Sequence, residues 1–264
     1  MEKGIYTWFG YLLGLEESLH MIKEAGFDAI MLWWGDTLAD YYGTKDELAR
    51  MVRQSGLALD NIHVPYEHVN GFWSDDAAAV AGLLTVYKGY VDDCVRYGFP
   101  AMVMHPEDYG KAAGVNERGL DAFAALCSYA EKKGVCIALE NTVDNAYMRS
   151  VLAHKGCEGF AFCLDTSHAH LSKDQQELMA LYGDRLAYLH LSDNDASYDQ
   201  HHLIGQGTVD WEAFARLLKN SGFNGRLSLE VVASSVIKKQ MDAKTFLDMA
   251  YESVCWLEAL IENV

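Results

Sequence analysis

The sequence predicts an α/β protein, a single closed (β/α)8 TIM barrel over residues 1–264, and three observations lead there. A short apolar run, a polar loop and an amphipathic helical stretch recur in that order eight times, which is the alternation of a parallel α/β fold. Glycine stands between a helical stretch and the next run at Gly26, Gly56, Gly98, Gly134 and Gly222, where a left-handed residue ends a helix. The 264 residues match the roughly 250 of such a barrel, and no Pro/Ser-rich linker or low-complexity stretch divides them. An open doubly wound sheet is the alternative. It expects G-x-G-x-x-G after the first strand, but the segment there reads Trp8-Phe9-Gly10-Tyr11-Leu12-Leu13-Gly14.

The expected strands, in order, are 4–8 (GIYTW), 27–34 (FDAIMLWW), 57–64 (LALDNIHV), 99–104 (FPAMVM), 135–139 (VCIAL), 160–164 (FAFCL), 186–191 (LAYLHL) and 225–230 (GRLSLE). Between and after them, apolar residues recur at three- and four-residue spacing over 15–25, 44–55, 75–97, 116–133, 144–153, 172–182, 210–220 and 239–262, the period of helices with one buried face. Thr44, Ser172 and Asp210 are expected N-caps, because their side-chain oxygens can accept the first free backbone N–H groups.

Composition narrows the function. Hydrophobic residues make up 50% and charged residues 22%, a globular balance that excludes a disordered or collagen-like chain. The 38 acidic and 21 basic residues leave a formal net charge of -17, which opposes capture of a polyanion, so a nucleic-acid partner is not expected. No apolar run approaches the roughly 18 residues of a membrane span. Met1-Glu2-Lys3-Gly4 runs straight into a strand-like segment without a signal-peptide hydrophobic region, so a cytoplasmic protein is expected. The six cysteines form no C-x-x-C pair and read as small buried hydrophobes in a reducing compartment.

Chemistry in such a barrel sits at the C-terminal strand ends, where eight loops converge on one mouth. The third run ends in His63, the fourth in His105, the fifth in Glu140, the sixth in Asp165 with His168 three residues on, the seventh in His190 and the eighth in Glu230. After the seventh, the long loop 192–198 leads to Asp199, His201 and His202. Any one of these residues could simply cap a backbone group or face water. As a set they are costly to hold on one concave face unless a cation neutralises them or they hydrogen-bond to one another. Oxygen and nitrogen donors without thiolate suit a divalent Mn, Co, Fe or Zn ion. His20 and His154 lie in helical stretches and read as solvated, whereas His68 and His170 fall beside the rim. Of the neighbours Trp33 and Trp34, strand alternation turns one ring inward, where it can wall a substrate or pack.

On the stretches His63-Val64-Pro65-Tyr66, Met104-His105-Pro106, Ala138-Leu139-Glu140-Asn141-Thr142, Cys163-Leu164-Asp165-Thr166-Ser167-His168-Ala169-His170, Leu189-His190-Leu191-Ser192-Asp193, His201-His202-Leu203-Ile204-Gly205-Gln206-Gly207 and Ser228-Leu229-Glu230-Val231, the chain resembles the xylose isomerase-like barrel superfamily. That group joins sugar isomerases and epimerases with endonuclease IV. In its isomerase branch the resemblance implies one metal on Glu140, Asp165, His190 and Glu230, with His168 on the substrate side. In its endonuclease branch the same four join His63, His105, His168, Asp199 and His201 around three zinc ions. Ketose epimerases similar to this chain place an arginine a few residues after the seventh-strand histidine. Here Asn194, Asp195, Ala196 and Ser197 stand there, which counts against a free-ketose 3-epimerase and leaves the substrate open. Segments 64–75, 141–148 and 191–209 contain no Arg or Lys, which counts against a DNA enzyme.

The expectation is therefore a metal-dependent isomerase or epimerase of a small sugar or polyol derivative, with Glu140 and Glu230 exchanging a proton through an enediolate. A hydride shift on the same metal is a variant. A zinc-dependent endonuclease is the alternative, and a metal-holding binding protein is a third reading. Relatives in the superfamily are often dimers or tetramers, so a homo-oligomer stays open.

Overall fold

The computed structural model describes residues 1–35, 43–108 and 112–264. Its strands are β1 (Lys3–Tyr6), β2 (Ala29–Trp33), β3 (Ala58–His63), β4 (Ala101–Met104), β5 (Cys136–Glu140), β6 (Ala161–Asp165), β7 (Leu186–His190) and β8 (Leu227–Leu229). They form one sheet in the order β7-β6-β5-β4-β3-β2-β1-β8, and adjacent strands from β1 round to β7 are parallel. Strand β8 pairs with β1 through Ile5↔Leu229, and the ring closes just past β7 at a parallel bridge, Leu191↔Leu229. There the Leu191 N–H donates to the Ser228 carbonyl and the Glu230 N–H to the Leu191 carbonyl, each at 2.9 Å. This is the barrel that the eightfold alternation predicts.

Side chains alternate across each strand, and the two sets bury separately. Ile5, Ile30, Ile62, Met102, Leu139, Phe162, Leu189 and Leu229 share one core with Leu19 and Ile22 of helix α1 (Leu15–Glu24), Phe123 of α4 (Glu117–Lys133) and Phe246 of α9 (Ala243–Asn263). A fully buried side chain of this kind contributes about 1.5–3 kcal/mol. A second, smaller cluster of Val103, Ala138 and Cys163, with Tyr188 against it, lies apart from that core. Four cysteines are buried, Cys136 and Cys255 are half-buried, and all six are free thiols, so the expectation of wholly buried cysteines holds for four.

Local chemistry starts and stops the helices. Helix α2 (Lys45–Ser55) opens on a capping box between Thr44 and Glu47, α3 (Ala77–Tyr97) on Asp76, and α8 (Trp211–Ser221) on Asp210. The five glycines expected as stops all take positive φ, from 69° at Gly134 to 104° at Gly26.

The expected helix over 172–182 is corrected. Two helices replace it, α6 (Thr166–Ser172) and α7 (Gln175–Tyr182), after α5 (Ala146–Ala153). Asp165 ends β6 and at once caps α6, accepting from the His168 N–H at 2.6 Å, so the chain turns helical without a loop. Ser172 is not an N-cap. It ends α6, its hydroxyl donating back to the His168 carbonyl at 3.0 Å, and Lys173 then takes a left-handed φ of 60°.

The fold places chemistry by placing strand ends. His63, Glu140, Asp165 and His190 are the last residues of β3, β5, β6 and β7, and His105 and Glu230 come one residue past β4 and β8. Among the described residues, no helix is long and apolar enough to cross a membrane.

Candidate active site

Glu140 is the hub of the rim. Its Oε2 lies 3.0 Å from His190 Nδ1, 3.2 Å from His63 Nε2 and 3.5 Å from His105 Nε2. The same His190 nitrogen lies 3.1 Å from Glu230 Oε2. One donor atom from each of Glu140, Asp165, His190 and Glu230 falls within 4.8 Å of all the others, a spacing that can surround one cation. His63 and His105 form a second such group with Glu140.

Burial makes this arrangement expensive. Glu140, Asp165 and His190 are at most 1% exposed, and at about 4 Å two like charges repel by about 4 kcal/mol even at an effective dielectric constant near 20. Asp165 Oδ1 accepts from His168 N–H, but its Oδ2 is buried with no hydrogen-bond partner. Burial lifts the Asp165 carboxyl to about 7, with Glu140, Asp199 and Glu230 adding and His168 opposing. Burial also pushes the Glu230 carboxyl up, but His190 outweighs it and holds the group down at about 2. Glu140 goes the same way, held well below the usual range by His190 and His105 against its burial. Cys163 also lies within reach of Glu140 and His190, but burial pushes its thiol up to about 12, so it stays neutral.

A second set lies beside the first. His168 Nδ1 donates to the Asn141 carbonyl at 3.0 Å, and its Nε2 is 3.3 Å from Asp199 Oδ2. Asp199 Oδ2 is also 2.9 Å from His201 Nε2. All nine residues singled out from the sequence therefore come to one mouth: four converge on a single point, His63 and His105 join them through Glu140, and His168, Asp199 and His201 form the adjoining wall.

A cavity of about 280 Å3 opens onto these groups. Trp8, Trp33 and Tyr66 line it together with the carboxylates, and among the described residues no Arg or Lys does. Trp33 stacks on His63 with ring centroids 5.5 Å apart, and Tyr66 on His105 at 4.7 Å. Of the tryptophan pair, Trp33 faces the cavity. Trp34 is buried against Tyr97 and Phe99 and donates from Nε1 to Asp93 at 2.8 Å. Trp8 and Tyr66 were not singled out from the sequence as wall residues: Trp8 stands two residues past the end of β1, whereas Tyr66 stands three past the end of β3, out of phase with His63.

His20 is exposed on α1 and His154 half-buried near Asp121, so solvation describes the first better than the second. His68 is exposed, and His170 turns outward, its Nε2 2.9 Å from the Thr208 hydroxyl. His170 and Lys173 line a larger cavity of about 500 Å3 beside α8, where no such convergence of donors occurs among the described residues.

Known proteins resemble the chain along most of its length. A ketose 3-epimerase of Arthrobacter globiformis is 24% identical over 254 residues, 88% of this chain and 83% of that protein. A probable endonuclease 4 of Halorhodospira halophila is 27% identical over 204 residues, 66% of this chain and 67% of that protein. A solved L-ribulose 3-epimerase shares the fold with a TM-score of 0.77 at 20% identity, covering 100% of this chain and 95% of the other. The family model of the xylose isomerase-like TIM barrel matches residues 19–257, from α1 into α9, and this chain belongs to that family.

Proposed function

We propose that this protein is a divalent-metal-dependent isomerase or epimerase of a small sugar or polyol. The observation that carries the reading is the four-donor cluster, in which two glutamates from different strands meet at one histidine nitrogen. The similarity to a ketose 3-epimerase supports the substrate class.

Glu140, Asp165, His190 and Glu230 are the residues that would hold the cation. They fit one: the buried Asp165 Oδ2 has no donor, and three carboxylates with one imidazole are a hard oxygen and nitrogen set suited to Mn, Co, Fe or Zn. Such an ion, when bound, supplies Lewis acidity that lowers the energy of negative charge developing on substrate oxygens.

The chain's own groups do the rest. Glu140 and Glu230 would flank the reacting carbon: one carboxylate takes the proton beside the substrate carbonyl, leaving an enediolate, and the other delivers to the opposite face a proton it has taken up from a substrate hydroxyl or solvent. His168 lines the substrate side of the cavity, its ring oriented by the Asn141 carbonyl at Nδ1 and facing Asp199 with Nε2. Trp8, Trp33 and Tyr66 cover the apolar face of a sugar and keep water from the carbanionic carbon.

A second reading rests on the group His63, His105 and Glu140 and on the similarity to a probable endonuclease 4: three zinc ions and phosphodiester hydrolysis. Among the described residues the cavity is lined by carboxylates and by no lysine or arginine, which opposes it, since a phosphate backbone needs cations. Elemental mass spectrometry on protein purified without added metal or chelator tests both. About one Mn, Co, Fe or Zn per chain, with deuterium incorporation into a ketose in D2O, is the expected result. Three zinc ions per chain and incision of an abasic-site duplex would replace it with the endonuclease.

A further inference from the structure

Asp199 and His201 lie outside the four-donor cluster, and His168 stands between the two, its Nδ1 3.5 Å from Glu140 Oε1 and 3.6 Å from Asp165 Oδ1. Among the described residues, the sets of three or more His, Cys, Asp or Glu donors within 4.8 Å of one another include none of these three. Asp199 arrives on the loop between β7 and α8, which Asp193 folds back over the mouth. The buried Asp193 carboxylate accepts from the N–H of Asn194 and Gly205 at 2.9 Å, of Val209 at 3.1 Å, and from Trp211 Nε1 at 2.9 Å. Strain marks the same loop, where two non-glycine residues adopt left-handed backbone, Ala196 at φ 64° and His201 at φ 49°. Such conformations cost on the order of 1–3 kcal/mol each and persist where the surroundings impose them. For His201 the imposing contacts are its Nδ1 on the Glu230 carbonyl and its own carbonyl on Val232 N–H, both 2.9 Å.

The carboxylate delivered there is held but not saturated. Asp199 Oδ1 accepts from the Ser167 hydroxyl at 2.6 Å, while Oδ2 serves His201 at 2.9 Å and His168 at 3.3 Å. A carboxylate has about four acceptor sites, so three donors leave one open. The side chain is 15% exposed, and Asp199 lines both the 280 Å3 cavity and a neighbouring one of about 470 Å3. His201 has both nitrogens engaged, on Glu230 and on Asp199, so it positions the carboxylate instead of reaching a ligand.

We propose that Asp199 determines specificity by accepting a hydrogen bond from a hydroxyl of the neutral sugar or polyol in the cavity, with Ser167 and His201 holding it in place. This rests on the reading of the site as a sugar or polyol site. An analogue lacking that hydroxyl loses the partner of a charged acceptor and is rejected. A phosphate dianion at the same place meets a fixed negative charge and is repelled.

The test uses Mn(II)-loaded wild type, Asp199→Ala and Asp199→Asn. Metal per chain is measured by elemental mass spectrometry, and binding of D-tagatose, D-fructose and myo-inositol by tryptophan fluorescence. Equal metal content in all three proteins is expected, with affinity for the bound sugar falling about tenfold or more in Asp199→Ala and partly restored in Asp199→Asn, which keeps one acceptor oxygen. In deuterium exchange, KM rises while kcat changes little. Loss of metal in either variant would make Asp199 a ligand, and unchanged sugar affinity in Asp199→Ala would remove it from recognition. The near-isosteric Asn variant keeps both readouts available if the Ala variant fails to fold. Wild type that holds metal but binds none of the three probes would overturn the sugar reading itself, and this inference with it.

Discussion

Two buried aspartates, one near each end of the barrel, show opposite design. Asp60 lies in β3 three residues before the rim residue His63, and its carboxylate is satisfied: Ser228 Oγ donates at 2.6 Å and Arg226 Nη1 at 3.2 Å. Asp165 lies at the rim, fully buried, with Oδ2 lacking any donor and with Glu140, Asp199 and Glu230 raising its affinity for a proton. The same side chain supports the fold at one end and stores electrostatic cost at the other. In parallel barrels, residues away from the C-terminal face mainly serve stability, whereas those at the strand ends are free to be arranged for chemistry.

Substitution separates the two ends. The largest effect expected is on turnover: Glu140→Gln should keep the fold and lower deuterium exchange into a ketose by about 10³-fold or more, checked by NMR in D2O. A fully active variant would take Glu140 out of the proton-transfer role. Stability should then split by sign. Asp60→Asn should lower unfolding free energy by about 1–3 kcal/mol, while metal-free Asp165→Asn at pH 8 should melt at the wild-type temperature or above, because it removes an unpaired buried charge. Equal losses in the two variants would erase the contrast.

The pH dependence follows from the same charges. The Asp165 carboxyl is lifted by burial to about 7 from an ordinary 3.8, so the folded metal-free protein binds an extra proton between those values and loses stability as pH rises through them. His201 opposes its burial through Asp199 and is raised to about 9, and His168 and His190 are raised too. Their contribution is complete below about 6.5 and is lost as pH rises through the folded values. His105, lowered by burial, works against this trend. Chelator-treated protein should therefore melt lower at pH 9 than at pH 6, and Mn(II) should restore more of the difference at the higher pH. Metal affinity should rise steeply as pH climbs toward the Asp165 value near 7 and keep rising above it, since the ion displaces that proton and also the one the raised His190 imidazole holds. Isothermal titration at several pH values measures this slope. The smallest effect belongs to a residue outside the contrast: His20→Ala, exposed on α1, should change stability by less than about 0.5 kcal/mol and leave exchange rates unaltered.

Much of the rim was legible because a strand end is a sequence feature. His63, Glu140, Asp165 and His190 close apolar runs of alternating period, so their place follows once the runs are recognised. Helix α6 was not legible, because Asp165 acts both as a rim carboxylate and as an N-cap, and nothing in the local pattern separates these uses. The aromatic wall was missed for a related reason: Trp8 and Tyr66 sit in short segments beyond strand ends, where periodicity lapses.

Local periodicity determined the eight repeats, the glycine stops and the identity of the residues carried to the rim, because each depends on neighbours a few positions away. Tertiary structure decided which of those residues share a point. Glu140 and Glu230 are ninety residues apart, and they meet at His190 because the ring closes at Leu191 and Leu229. It also decided that Asp199 faces the cavity, since the loop carrying it is folded by Asp193 through contacts reaching to Trp211. Those distances depend on the curvature of the whole sheet and on loop packing, neither of which any short stretch of sequence contains.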